Sequence, residues 1–119
     1  MSLPARLPAV HFERVSETLP AGRQAVTMMD LGHRPVGSLE YQVCHPCRLG
    51  YIGSIAVAGP WQGQGLGRHA LHTALAPCAG YTWSTSRQSS DGRRFFAAIE
   101  DETEIAFPPS GVRCPHMTP

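Results

Sequence analysis

From Ile55 to Leu71 the chain reads Ile-Ala-Val-Ala-Gly-Pro-Trp-Gln-Gly-Gln-Gly-Leu-Gly-Arg-His-Ala-Leu, and few local structures accommodate that run. The apolar residues before Gly59 suit a buried strand. Glycines at 63, 65 and 67 admit backbone conformations and close approaches that other residues resist. From Leu66 the spacing turns helical: Leu66, Ala70 and Ala74 share one face, with Leu71 and Leu75 beside them, until Pro77 stops the helix. A strand, a glycine turn and a helix in that order let backbone N–H groups converge on an anion at the positive end of the helix dipole. Phosphate binding is the first reading of such a loop. The bland alternative is a glycine-rich connection that holds nothing.

The kind of phosphate ligand narrows by elimination. A dinucleotide-binding turn needs a third glycine where this chain has Arg68. A Walker-A loop needs Gly-Lys-Ser/Thr, and all 10 basic residues here are arginine. A protein-kinase glycine loop needs a downstream lysine and far more chain. Around the loop, the spacing predicts strands over Val10–Val15, Ala25–Leu31, Val36–Val43 and Tyr51–Ala58, the second and third forming a hairpin through Gly32-His33-Arg34-Pro35. A short strand, Tyr81–Thr85, follows the first helix. A second helix is capped among Ser89, Ser90 and Asp91 and ends near Ile99 or Glu100, because Glu100, Asp101 and Glu102 are unfavourable at a helix C-terminus. Ile105–Phe107 reads as a last strand before Pro108-Pro109. Residues 1–8 read as a loosely packed lead-in and Ser16–Arg23 as a short connector. The class is mixed α/β in a single domain, residues 1–119.

The glycine loop resembles the acetyl-CoA loop of the GNAT superfamily of N-acetyltransferases, Gln/Arg-x-x-Gly-x-Gly/Ala after a strand, matched here by Gln62, Gly65 and Gly67. The lead-in Ile55-Ala56-Val57, Pro60 and the element order from Val10 to Phe107 are similar too. The resemblance implies a mostly antiparallel twisted sheet with helices packed on it, splayed between its fourth and fifth strands. It also implies that acetyl-CoA is the co-substrate. Backbone groups of Ile55, Ala56 and Val57 would meet the pantetheine arm as an added strand would. Amides of Gln62, Gly63, Gln64, Gly65, Leu66, Gly67 and Arg68 would hold the pyrophosphate, with the Arg68 side chain adding charge. The activity implied is direct transfer of an acetyl group to an amine in a ternary complex.

The chain departs from the family pattern in three places. The family's helix pair between its first two strands is missing, leaving the acceptor groove open or completed by a second copy in a homodimer. Phe96 stands where many members carry a general-acid tyrosine. No carboxylate lies early on the fourth strand, Tyr51-Ile52-Gly53-Ser54. Amine deprotonation and thiolate departure still need partners. Glu40, across the hairpin from about Ser54, is the nearest candidate base and otherwise a solvated strand residue. Ser84, with Ser86, is the candidate donor to the thiolate and otherwise an edge-strand hydroxyl. His69 and His72 read as exposed polar positions. A runner-up function is an acyl-CoA-binding or interaction domain that kept the fold and lost the chemistry.

Two close-spaced pairs, Cys44-His45-Pro46-Cys47 and Cys114-Pro115-His116, are what a closed tetrahedral zinc site requires: two short chelating loops that meet in space. The interval between them exceeds that of common zinc fingers, and free thiols or a redox pair at Cys44 and Cys47 are the alternatives. A zinc-stapled interaction domain without CoA affinity is a third functional reading. The net charge of +1 argues against nucleic-acid and anionic-membrane partners. The longest apolar runs are too short for a membrane span. With no secretory signal pattern at Met1–Arg6 the expected compartment is the cytoplasm, where thiols and metal ligands outnumber disulfides. The amine acceptor is not written in the sequence.

Overall fold

The computed structural model of the protein describes residues 10–16, 21–109 and 114–117; the lead-in at 1–8 and most of the connector after Ser16 lie outside them. Its elements are β1 (Val10–Ser16), β2 (Arg23–Asp30), β3 (Pro35–Cys44), β4 (Leu49–Val57), a single 3-10 turn at Gly59–Trp61, α1 (Leu66–Leu75), β5 (Thr82–Thr85) and α2 (Ser90–Thr103). The strands lie side by side in chain order, β1 to β4 antiparallel and β5 parallel to β4. The β2–β3 hairpin forms where glycine and proline predicted it. Asp30 Oδ1 accepts from the amides of Gly32 and Arg34 at 2.8 and 2.9 Å and so closes the turn.

Alternation along β3 builds two cores. Leu39, Tyr41 and Val43 join Val26 and Met28 of β2, Ile52 of β4, the apolar face of α1, and Trp83, Phe96, Ile99 and Phe107 in the main cluster. Cys44 belongs to a second, smaller cluster with Ala21, Cys114 and Met117, which Leu49 and Tyr51 join at its edge. Gln42, on the same side of the strand as Cys44, is buried and donates to the Ala21 carbonyl at 3.1 Å.

Two irregularities shape the functional end of the sheet. The pairing steps from Glu40↔Ser54 to Tyr41↔Ile52, so β4 carries one extra residue, Gly53, against β3. That bulge puts Ile55 on the main core together with Ile52 and leaves Ser54 exposed. The second irregularity is the splay. β4 and β5 pair only from Leu49↔Thr82 to Ile52↔Thr85, and the Ser86 amide makes a last bond to the Ile52 carbonyl at 2.9 Å. Among the described residues no strand lies on that edge of β4 beyond Ile52.

Two expectations need correction. α2 runs on to Thr103 instead of ending near Ile99 or Glu100. Its acidic run has partners: Glu100 Oε2 accepts from the Phe107 amide at 2.8 Å, Glu102 takes Arg68 and His72, and Glu104 ends the helix with φ 58. Such contacts offset the unfavourable dipole, whose effect on exposed charges is modest and screened by salt. Ile105–Phe107 is not a strand. Pro108 and Pro109 follow and lack the N–H groups a ladder needs, so this segment contributes a single bond to β5, from the Thr85 amide to the Pro108 carbonyl at 2.9 Å. His69 and His72 are exposed, as expected, and each has a partner: His69 stacks on Phe12 with centroids 4.3 Å apart, and His72 pairs with Glu102. None of the described helices is long and apolar enough to cross a membrane.

Candidate functional site

The splay opens a cavity of about 630 Å3 between β4, the glycine loop and the start of α2. One wall is β4 from Ile52 to Val57. The opposite wall is Thr85–Ser89 with the first turns of α2, ending on Phe95 and Phe96. The floor is the loop and the start of α1, through Gly63, Gly65, Gly67 and Arg68.

The loop adopts the shape its glycines predicted. Gly63 and Gly65 have φ of 80 and 76, in the left-handed region where a side chain is strained, and open space lies where a Cβ at Gly65 would point. Gly65 is the N-cap of α1, without any side-chain cap and with no acidic residue in the first turn. The first α-helical backbone bond runs from the His69 amide to the Gly65 carbonyl, so the preceding amides of the turn have no partner within the helix. Gly67 serves packing as well. A Cβ there would meet Ile55 Cδ1 at 3.2 Å and Phe95 at 3.5 Å, so its absence lets the helix approach β4 and α2. Gln62 Nε2 donates to the Val57 carbonyl at 2.9 Å and ties the loop back to the strand. α2 also starts at this cavity, with its Ser89 cap accepting from the Gly92 amide at 3.1 Å. Two helix N-termini therefore face one space; that of α1, with neither a side-chain cap nor an acid, favours anions, whereas that of α2 carries the Ser89 cap and Asp91.

Of the residues expected to bind the co-substrate, Ile55, Ala56, Val57, Gln62, Gly63, Gly65, Leu66, Gly67 and Arg68 line the cavity and Gln64 does not. Arg68 Nε donates to Glu102 Oε1 at 2.7 Å, and His72 Nε2 meets the same oxygen at 2.7 Å. Hydrogen bonds from Arg68 first, then His72, hold the Glu102 carboxyl below its ordinary pKa.

The candidate catalytic residues fare differently. Glu40 is exposed and does not line the cavity, but Ser54, which does, donates to Glu40 Oε1 at 2.8 Å. Ser84 is displaced from its expected place. It alternates with Trp83 and Thr85, stands in register with Tyr51, is 3% exposed, and is not a cavity residue. The neighbouring Thr85 and Ser86 line the cavity, with their hydroxyls donated to the carbonyls of Ser86 and Gly53 at 2.8 and 2.7 Å. Phe96 is buried and reaches the cavity wall. Gln88 and Asp91 line that wall, in the Gln88–Arg94 segment that the sequence placed beside the co-substrate, whereas Arg87 next to them was missed. Gln88 Nε2 donates to Thr85 Oγ1 and to the Phe107 carbonyl at 2.8 and 2.9 Å. Nothing local marks Arg87, since the splay decides what faces the gap.

The other end of β4 holds a second group. Cys44, at the end of β3, Cys47, in the β3–β4 turn, and Cys114 and His116, near the C-terminus, bring their ligand atoms within 4.8 Å of one another. All four residues expected to ligate metal are thus together. Cys47, hydrogen-bonded to Cys44, has its thiol pushed up to about 11. Burial works against ionising Cys114, but hydrogen bonds from His116, Cys44 and Cys47 outweigh it and bring that thiol down to about 6.

Residues 4–98 match the family model described as "Acetyltransferase (GNAT) family". No curated protein matches the sequence. Among solved structures, a Deinococcus radiodurans protein described as an acetyltransferase superposes with a TM-score of 0.66 over 97% of this chain and 94% of its own, at 11% identity. An acetyltransferase from Thermus thermophilus is 27% identical, with a TM-score of 0.54 over 65% of this chain and 52% of its own. A ribosomal-protein-alanine N-acetyltransferase from Brucella melitensis gives 0.53 over 77% and 69%, at 17% identity. With the family model covering most of the chain, the splayed sheet that the resemblance implied and the glycine turn that the motif predicted, the chain belongs to the GNAT acetyltransferase family.

Proposed function

We propose that this protein takes acetyl-CoA as its co-substrate and transfers the acetyl group directly to an amine while both are bound. The observation that carries this reading is the unpaired edge of β4 beyond Ile52, running into the uncapped amides at the start of α1. The edge offers backbone groups to the amide-rich pantetheine arm, and the loop offers N–H donors to the pyrophosphate. Since Gln62 already takes the Val57 carbonyl, strand-like pairing falls on Ile55 and the Val57 amide.

In the reaction the amine nitrogen attacks the thioester carbonyl carbon, the C–S bond breaks, the amine loses a proton and the CoA sulfur leaves as a thiolate that takes one up. A β4 amide between Ile55 and Val57 stabilises the oxyanion. The proton passes by way of Ser54 to Glu40, which that hydroxyl links to the cavity. The thiolate finds no acidic side chain at Phe96, and the hydroxyls of Thr85 and Ser86 are already committed. Positioning therefore supplies most of the acceleration. A homodimer would complete the acceptor wall that the short β1–β2 connection leaves out; full turnover by a protein that light scattering finds monomeric excludes it.

A second reading rests on the same shortage of acid and base, namely a domain that binds acyl-CoA without turning it over. Thiol release from acetyl-CoA with a panel of amines separates the two. Steady release supports transfer, saturable binding with no release supports the second reading, and neither binding nor release overturns both.

A further inference from the structure

We propose that Cys44, Cys47, Cys114 and His116 form a closed zinc site that pins the C-terminal tail against the sheet and completes the smaller core. The donor set is three thiols and an imidazole, the chemistry of structural zinc. The geometry is close to what the ion requires. Zinc bonds of about 2.3 Å to sulfur and 2.0 Å to nitrogen, at tetrahedral angles, place sulfur and nitrogen about 3.5 Å apart. His116 Nδ1 lies 3.5 Å from Cys44 Sγ and 3.4 Å from Cys47 Sγ. All four donor atoms fall within 4.8 Å of one another, although Cys44 and His116 are 72 positions apart in sequence. A simple thiol–imidazole hydrogen bond would need two of these groups, not four.

The surroundings say what the site is for. Cys44 and Cys114 are buried with Ala21 and Met117 in the smaller cluster, on the side of the sheet opposite the main core. Ala21 belongs to the connection between β1 and β2, and its carbonyl is held by the buried amide of Gln42. Residues near the C-terminus thus cover the sheet face beside that short connection. So small a cluster gains little from burial alone, and a metal cross-link between distant segments converts binding free energy into folding free energy. Four protein donors leave no coordination position for water or substrate, so the site is structural. It lies at the N-terminal end of β4, away from the cavity that begins at Ile52, and does not depend on the acetyltransferase reading.

Metal analysis of the purified full-length protein tests this without any substrate. The expected content is about one zinc per chain, lost in Cys114→Ser and retained in His116→Cys, which supplies a fourth thiolate. Replacement by cobalt(II) should give the intense visible bands of tetrahedral thiolate coordination, and removal of zinc should lower Tm by about 10 °C. Should Cys114→Ser fail to fold, the wild-type zinc content and cobalt spectrum still decide. Metal-free protein with four titratable thiols at undiminished stability overturns the proposal, as does a Cys44–Cys47 disulfide in the protein as purified.

Discussion

At its C-terminal end β4 runs into a glycine loop whose helix begins with unbonded amides, whereas at its N-terminal end it starts from a turn where three thiols and an imidazole crowd together. Both ends collect polar groups, yet in opposite ways. The loop end leaves backbone donors without partners and keeps side chains away, so a large anion can approach. The turn end gathers side-chain donors from distant segments into the group proposed above to hold a small cation. One strand can thus carry a site for exchange and a site for permanence. What separates them is whether the groups left over belong to the backbone or to side chains.

The comparison breaks first at the metal. Chelation should produce the Tm loss given above while acetyl-CoA affinity, measured by calorimetry on protein that is still folded, changes less than about threefold, since the ends share no residues. A parallel collapse of affinity in folded protein would show that the two ends act as one. The next largest effect is expected at the loop. Gly65→Val forces a β-branched residue into a left-handed backbone, costing about 1–2 kcal/mol, and puts methyl groups in the space above the amides. Acetyl-CoA affinity should fall on the order of 100-fold, about 3 kcal/mol, with zinc content unchanged. Unaltered affinity in a folded variant removes the loop from the site. Gly67→Val tests the loop less cleanly, because it also presses on Ile55 and Phe95.

A smaller effect is expected from Phe96→Tyr. A hydroxyl on the cavity wall offers the departing thiolate a proton, so turnover should hold level or rise severalfold. Abolition of activity without unfolding would mean that Phe96 is not where the family's tyrosine stands. Smallest of all is Glu102→Gln, which releases Arg68 and should improve acetyl-CoA affinity about twofold as the guanidinium becomes free for phosphate. Because Arg68 and His72 depress the Glu102 pKa, the pair's stabilisation is present above the ordinary carboxylate pKa and is lost as pH falls through the depressed value. Tm values of the wild type and Glu102→Gln should converge as the solution is acidified below that point. A gap that persists in acid would rule out this source of stability.

Sequence by itself determined what depends on near neighbours. The glycine turn, the helix from Leu66 and the Ser89 cap were legible because backbone conformation and capping are decided within a few residues. The two chelating pairs were legible as pairs, since two or three residues set their spacing. Tertiary structure alone decided the rest. Whether Cys44 and Cys47 meet Cys114 and His116 depends on where β3 ends and where residues 114–117 pack. The single extra residue at Gly53 moved Ile55 onto the core and Ser54 out beside Glu40. A strand's side chains alternate with a period of two, so the facing of Ser84 away from the cavity followed from the register of β5 against β4. The acidic end of α2 stayed helical because Arg68, His72 and the Phe107 amide came from elsewhere in the chain to meet it. No local rule weighs partners that only folding brings within reach.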